Sequence, residues 1–283
     1  MTVVSSRFRR GMDTSVELVL KPQLEAYLFR AKFPDHFTVP FRKAGVARKP
    51  DGWFHPSTHP GWTERQLYFY FTAPDDLEPE QLDYSSRMAV TMGTAVHGFI
   101  EMCVRKMGAS IPLKGTCPAC GREHGTKKDQ CDEYGAADVK LRSRGHMDSV
   151  IKIERDGKYW KSGIGGFELK SSNERKVSNV KDNDIEAFRA KWPEYYDQIQ
   201  NYMEITGLTQ FLVLFVVLGY PWRMVEFPVP YDPERAIQIK RKYESVLDHV
   251  ERGEMPEPCC GTGSVQAKSC IARSACPIGR MSQ

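Results

Sequence analysis

Gly145-His146-Met147-Asp148-Ser149-Val150-Ile151-Lys152-Ile153 and, after a Gly-rich bend at Gly163, Gly165 and Gly166, Phe167-Glu168-Leu169-Lys170-Ser171 are the two runs from which the rest of the chain can be read. From His146 to Ile153 the residues alternate like a half-buried strand, and Asp156-Gly157 supplies a turn. The second run is a strand as well, and residues two apart on a strand share a face, so Glu168 and Lys170 project together. If the two strands pair as a bent hairpin, Asp148 falls opposite Glu168. Two carboxylates that close repel unless a cation lies between them. Oxygen ligands of this kind suit Mg²⁺ or Mn²⁺, and a lysine beside them could orient a water or stabilise charge on a phosphate. A Glu-x-Lys on a strand is by itself common and often only a solvated ion pair, so its neighbours must carry the argument.

Working outward, Phe211-Leu212-Val213-Leu214-Phe215-Val216-Val217-Leu218 is a continuous apolar run and reads as a strand buried on both faces. Trp222 to Val229 looks like its partner across a turn at Gly219 to Pro221. Pro193 opens a helix that Gly207 ends, and Asp232-Pro233 caps a long one that ends at Gly253. Upstream, Ser85 and Ser86 are candidate N-caps for a helix to about Lys106, with Gly108 as its stop. Residues 14 to 33 read as an amphipathic helix through Val16, Leu20, Leu24, Tyr27, Leu28 and Ala31, although Pro22 inside the pattern allows a start there. Pro34 to Pro79 is rich in Pro, Gly, His and aromatics, with a strand-like run from Gln66 to Phe71, and no chemistry is assigned to it. The order of helices and strands implies an α/β domain with a central mixed sheet. The expected division is an N-terminal helical or irregular region (1–84), a core (85–258) with a Cys-rich insertion (108–137), and a Cys-rich tail (259–283).

A net charge of +4, with 40 basic residues against 36 acidic, permits nucleic-acid binding without arguing for it. The run from Phe211 to Leu218 is too short to cross a bilayer, and Met1 to Arg10 lacks the apolar stretch of a signal peptide. The expectation is a cytoplasmic protein with no membrane partner. In that compartment the eight cysteines suit metal ligation or burial better than disulfides. Cys117-Pro118-Ala119-Cys120-Gly121 makes a knuckle whose thiolates could hold one tetrahedral zinc, with Cys131 and His124 completing it. Cys103, among apolar helix neighbours, reads as a buried thiol. Lys114, Lys127 and Lys128 flank that loop, and Arg175, Lys176, Lys181, Arg189 and Lys191 follow the Glu-x-Lys strand. Phosphates could use such groups, but the interleaved acids make a solvated face the simpler reading.

Two further pairs have helical i, i+4 spacing: His97 with Glu101, and Gln198 with Tyr202. In order, Gly93-x3-His97-x3-Glu101, Gly145-x2-Asp148, Glu168-x-Lys170 and Gln198-x3-Tyr202 resemble the four-part signature of the RecB-type nucleases of the PD-(D/E)xK superfamily. That family includes AddB nuclease domains, CRISPR-associated RecB-like exonucleases and many phage exonucleases. The resemblance covers roughly residues 85 to 220. It implies a restriction-endonuclease-like core and a metal-dependent DNA nuclease, in particular an exonuclease of replication, recombination or repair, phage-encoded members acting in the host cytoplasm. It implies His97, Asp148 and Glu168 as ligands of Mg²⁺ or Mn²⁺, with the Leu169 carbonyl added, while Glu101 could hold the His97 tautomer or approach the metal through water. Lys170 would be the catalytic lysine, and Gln198 and Tyr202 would position DNA and the site.

Iron–sulfur members of this family carry one cysteine before the His motif and three near the C-terminus. Cys270 and Cys276, with five residues between them and Pro277 following, match the last pair. Nine residues rather than two separate Cys260 from Cys270, and no cysteine precedes His97. A [4Fe-4S] cluster on Cys259 or Cys260, Cys270, Cys276 and one other cysteine therefore stays open beside zinc. No G-x4-G-K-[ST] loop occurs, so ATP-driven unwinding would fall to a helicase or another recombination or replication partner. The alternative to an enzyme is a catalytically silent DNA-binding or assembly protein with a zinc knuckle on the same fold. Such a protein would not need Glu168 and Lys170 together.

Overall fold

The computed structural model describes residues 18–30, 50–78, 83–125, 127, 129–219 and 222–282. Its centre is a four-stranded mixed sheet in the order β3 (Ser149–Ile153), β4 (Gly163–Asn173), β5 (Gln210–Leu218) and β6 (Arg223–Pro230). β3 pairs antiparallel with β4, β4 parallel with β5, and β5 antiparallel with β6. Helices cover both faces, as the α/β reading requires. The continuous apolar run of β5 explains why. Phe211, Val213, Phe215 and Val217 pack with α5 (Ile185–Lys191) and α6 (Pro193–Thr206). Leu212, Leu214 and Val216 pack on the other side with α1 (Lys21–Arg30) and α3 (Tyr84–Lys106). A strand alternates its side chains between faces, so a strand with two covered faces needs apolar residues throughout.

Several elements differ from the sequence expectation. The amphipathic helix starts at Lys21, with Pro22 in its first turn, and residues 14–17 and 31–33 lie outside the described residues, as do Lys128, Tyr220 and Pro221. Buried Glu226, 0% exposed, accepts hydrogen bonds from the backbone N–H groups of Val19, Leu20 and Lys21, satisfying donors that a helix start leaves open. The run from Gln66 to Phe71 is helical, inside α2 (Glu64–Thr72), because Thr63 and Gln66 form a reciprocal capping box. α3 is capped by Asp83, whose carboxylate accepts from Ser86 N, rather than by Ser85 or Ser86. α6 ends at Gly207 as expected, with φ +73°. α7 (Pro233–Arg252) is capped by Asp232 and ends at Gly253.

The expected strand from His146 to Ile153 is two strands. β1 (Tyr134–Asp138) and β2 (Ser143–Met147) form a separate antiparallel hairpin, with Gly135 opposite His146. Asp148 is the single residue between that hairpin and β3 of the main sheet. Between β4 and α5 lies the short α4 (Glu174–Val177). The tail, with the short helices α8 (Val265–Lys268) and α9 (Pro277–Arg280), packs on α2 through Tyr68, Phe69, Ala272, Ala275 and Cys276. Among the described residues no helix is long and apolar enough to cross a membrane.

The segment before α2 packs on α7: Phe54 stacks on Tyr243 with ring centroids 3.9 Å apart. Beside it His59, 2% exposed, accepts a hydrogen bond at Nδ1 from His55 N (2.9 Å) and so is held neutral. Burial, reinforced by nearby His55, pulls its pKa from 6.5 down to about 3. A depressed folded pKa contributes stability above the unfolded value that is lost as pH falls towards the folded one. The denaturant midpoint should therefore drop as pH falls from 6.5 towards about 3, and His59→Asn should flatten that drop. Equal pH dependence in the two proteins would contradict this role.

Candidate active site and metal centres

β4 places Phe167 and Leu169 in the core under α3, so Glu168 and Lys170 face the opposite side, towards α6. Asp148 lies one residue beyond the Ser149–Phe167 pair and therefore across from Glu168, as the hairpin reading expected. Its Oδ2 accepts from Leu169 N (2.7 Å), which fixes the carboxylate at the edge where β3 has ended. A strand residue points its N–H and C=O to the same edge. The Leu169 carbonyl is therefore directed there too.

From one side of the sheet α3 brings His97 and Glu101. His97 Nδ1 lies 3.9 Å from Asp148 Oδ2, and ligand atoms of His97, Glu101 and Asp148 all lie within 4.8 Å of one another. α3 comes this close because residue 93 has no side chain: a β-carbon on Gly93 would lie 2.5 Å from Ser171 Oγ. From the other side α6 brings Gln198 and Tyr202. Gln198 Nε2 donates to Glu168 Oε1 (2.8 Å), while its Oε1 accepts from Lys170 Nζ (3.0 Å). Lys170 Nζ also donates to Glu168 Oε1 (2.7 Å) and sits 4.5 Å from the centre of the Tyr195 ring. Tyr202 OH donates to the His146 carbonyl (2.6 Å), and Gly145 leaves room for it, since a β-carbon there would lie 2.9 Å from that hydroxyl.

Glu168 is 6% exposed, and burial together with the Asp148 charge raises its carboxyl to about pKa 7 against the pull of Lys170. For Lys170 burial opposes the charge, but Glu168 and Asp148 more than offset it and raise its pKa. The second carboxylate oxygen of Glu168, Oε2, is buried with no hydrogen-bond partner among the described residues. An orphaned buried oxygen is costly, and a cation beside it would remove that cost. The donor set of carboxylates, imidazole and carbonyl fits a Mg²⁺ or Mn²⁺ site.

The thiol loop forms a second group. Ligand atoms of Cys117, Cys120, Cys131 and His146 lie within 4.8 Å of one another, with Cys117 Sγ 3.4 Å from His146 Nε2. The fourth member is thus His146 and not His124, whose backbone instead bridges to Cys131 and donates to Gly115 O (3.0 Å). The knuckle is closed by Gly121 N donating to Cys117 O (2.8 Å), with Gly121 at φ +74°. On the far side of the imidazole, His146 Nδ1 faces Glu133 Oε2 at 3.5 Å, which aims Nε2 at the thiols. Burial pushes the Cys131 thiol up to about 12. For Cys120 burial is outweighed by hydrogen bonds from Arg122, His146 and Cys117, which bring it down to about 6. Neighbouring thiols share protons in this way when no cation neutralises them. Cys103 is buried in α3, as expected.

Cys259, Cys260, Cys270 and Cys276 line one small cavity together with Arg65, Gln66 and Phe69 of α2. Gln66 Nε2 lies 3.5 Å from Cys270 Sγ and Thr63 Oγ1 3.5 Å from Cys259 Sγ. Among the described residues no three of these sulfurs lie within 4.8 Å of one another, a wider spacing than in the loop.

No family model matches the chain, and no curated protein does. Among solved structures it is similar to SSO0001 at 12% identity, over 91% of this chain and 94% of that one, with a TM-score of 0.41. It is similar to the alkaline exonuclease LHK-Exo from Laribacter hongkongensis at 15% identity, over 71% and 89%, with a TM-score of 0.41. The complex of LHK-Exo with dAMP gives 14% identity over 72% and 90%, at the same TM-score.

The close approach at Gly93 can be tested by stability alone. Gly93→Ala should destabilise the fold by about 1–3 kcal/mol through overpacking against Ser171. Adding Ser171→Ala removes the clashing oxygen and leaves the Ser171 Cβ position 3.5 Å away. The double variant should recover at least wild-type stability, because Ala favours a helix over Gly by about 1 kcal/mol. Additive losses in the double variant would show that α3 is held by something else.

Proposed function

We propose that this chain is a divalent-metal-dependent DNA nuclease, an exonuclease that hydrolyses phosphodiester bonds. The observation that carries the reading is the junction of Asp148, Glu168, Lys170, His97 and Gln198 around a buried carboxylate oxygen that has no hydrogen-bond partner among the described residues. His97, Asp148, Glu168 and the Leu169 carbonyl would hold the Mg²⁺ or Mn²⁺, with Glu101 close enough to join through water. A bound divalent cation supplies Lewis-acid polarisation of the phosphodiester and makes water a better nucleophile. Lys170 spends two of its three N–H groups on Glu168 and Gln198, which aims the third at a water or at a phosphate oxygen. Gln198 holds both partners in register. Tyr202 ties the end of β2, and with it Asp148, to α6, so its role is positional.

We further propose zinc at Cys117, Cys120, Cys131 and His146. Three thiols and one imidazole whose ligand atoms lie within 4.8 Å of one another are the ligand types a structural zinc takes, and a short hydrophilic loop gains its folding free energy from such an ion. The tail cysteines Cys259, Cys260, Cys270 and Cys276 are proposed to hold a [4Fe-4S] cluster, whose larger body suits sulfurs spread wider than around a single ion. Iron and labile-sulfide analysis of anaerobically purified protein should find the cluster. Iron-free protein with a second zinc per chain would replace that assignment with zinc.

Asp148→Ala and Lys170→Ala should each lower cleavage of end-labelled DNA by at least about 100-fold while leaving the far-ultraviolet circular dichroism unchanged. His97→Ala should regain part of its activity at raised Mn²⁺. Cleavage by either of the first two variants at near wild-type rate would refute the site, whereas no cleavage by wild type in Mg²⁺ or Mn²⁺ would favour a silent DNA-binding protein. Separately, Cys117→Ser with Cys120→Ser should lower bound zinc by about one ion per chain and open the loop to proteolysis, whereas His124→Ala should leave zinc unchanged. Elemental analysis showing the reverse would restore His124 as the ligand.

A further inference from the structure

Lys170 stands on β4 beside Phe215 of β5, its partner in the parallel register, and both side chains face α6. Three aromatic rings meet there. The ring of Trp192, which precedes α6, lies 4.5 Å from that of Phe215, and the ring of Tyr195 lies 6.1 Å from the same Phe215 ring. Tyr195 and Gln198 are three residues apart on α6 and so share a face. The neighbouring Tyr196 is turned elsewhere: it is buried, and its hydroxyl donates to Asp232 (2.9 Å). Of two successive tyrosines, one is locked into the fold and the other is left half-buried with its ring centre 4.5 Å from Lys170 Nζ.

A lysine carries its charge at the end of a flexible four-carbon stem, so the ammonium stays in one place only where its surroundings hold it. Glu168 Oε1 accepts from Lys170 Nζ at 2.7 Å and Gln198 Oε1 at 3.0 Å. Gln198 is itself bonded to Glu168 Oε1. Both of these holds therefore depend on the carboxylate assigned above to the cation. A divalent ion on Glu168 and Asp148 weakens their attraction for a neighbouring ammonium and repels it directly. The Tyr195 ring holds by a different force. Its attraction comes from the quadrupole of an uncharged group, reaches a cation within about 6 Å of the centroid, and strengthens where water is kept away. The Lys170 side chain is 14% exposed. A ring face also asks for no single N–H, so the third N–H of Lys170 stays available to a water or a phosphate oxygen.

We propose that Tyr195 is a positioning residue for Lys170, holding the ammonium at the active site through its ring face when the carboxylates are engaged by a cation. This role rests on the nuclease reading and adds to it a residue that acts only through the lysine. The aromatic face is what the role requires and the hydroxyl is not, so phenylalanine serves in its place and leucine does not.

The test compares wild type, Tyr195→Phe and Tyr195→Leu, with melting followed by circular dichroism to confirm the fold of each. In protein isotope-labelled at the lysine ε-carbons, the Lys170 resonance is identified by its absence from Lys170→Arg. The ring current of a facing aromatic should move its ε-protons upfield in wild type and in Tyr195→Phe, and that shift should vanish in Tyr195→Leu. In wild type it should persist when Mg²⁺ is added, and no DNA is needed to see it. On end-labelled DNA in Mg²⁺, Tyr195→Leu should lower kcat by about 2- to 30-fold, the rate equivalent of one cation–π contact, with KM unchanged. Tyr195→Phe, which keeps the ring face, should restore most of that loss. A Lys170 resonance that is the same in wild type and Tyr195→Leu, or that loses its upfield shift in Mg²⁺, overturns the proposal. So does an equal loss of kcat in Tyr195→Phe, which would give the role to the hydroxyl, or a loss confined to KM, which would make the ring a DNA contact. Should Tyr195→Leu fail to fold, the wild-type spectrum decides, and an ordinary lysine position for Lys170 overturns the proposal. If the resonances behave as expected yet wild type cuts nothing in Mg²⁺ or Mn²⁺, the nuclease reading fails while the ring remains the seat of Lys170.

Discussion

Asp148 and Glu168 are two carboxylates brought together at a strand edge from which water is largely excluded, and their repulsion must be answered by positive charge. Lys170 answers part of it through Glu168 Oε1, and Gln198 binds the same oxygen. Glu168 Oε2 is left buried and, among the described residues, without a hydrogen-bond partner. Burial and the Asp148 charge together raise the Glu168 carboxyl to about pKa 7 against the pull of Lys170 and His97. The rest of the molecule is arranged so that this pair cannot relax. β5 anchors β4 from its parallel side, α3 closes one face through Gly93, and α6 closes the other through Gln198 and Tyr202.

The break of the chain at Asp148 links the two metal-ligand groups. His146 belongs to the thiol group, its carbonyl accepts the Tyr202 hydroxyl, and two residues later Asp148 faces Glu168. Order in the thiol loop is therefore passed along a single short backbone segment to the carboxylate. A metal at the thiols would fix the hairpin that aims Asp148, even though soft thiolates and hard carboxylates select different ions.

Much of this was legible in the sequence where the signal is local. The apolar run of β5 announced a strand covered on both sides, Gly207 and Gly253 marked helix ends, and the i, i+2 spacing put Glu168 and Lys170 on one face. What escaped depended on pairing between distant segments. The alternation from His146 to Ile153 is the same whether one strand or two carry it, and only the partner strand β1 shows that the sheet changes at Asp148. His124 was the nearest histidine to the knuckle, but the hairpin delivers His146 from further along. The helix α2 was misread because Tyr and Phe favour strands, although Thr63 and Gln66 at capping-box spacing could have revealed it. The gathering of the four tail cysteines around α2 has no local signature, since it depends on how elements pack.

The central claim is that the orphaned Glu168 oxygen is one ligand of a cation site shared with Asp148 and His97. Anomalous scattering from a crystal soaked in Mn²⁺ tests it without reference to any substrate. The account predicts an ion contacting Glu168 Oε2, an Asp148 oxygen, His97 and the Leu169 carbonyl, with Lys170 Nζ still on Glu168 Oε1. A site that stays empty of manganese at saturating concentration, or an ion that binds while Glu168 Oε2 remains unligated, would contradict it.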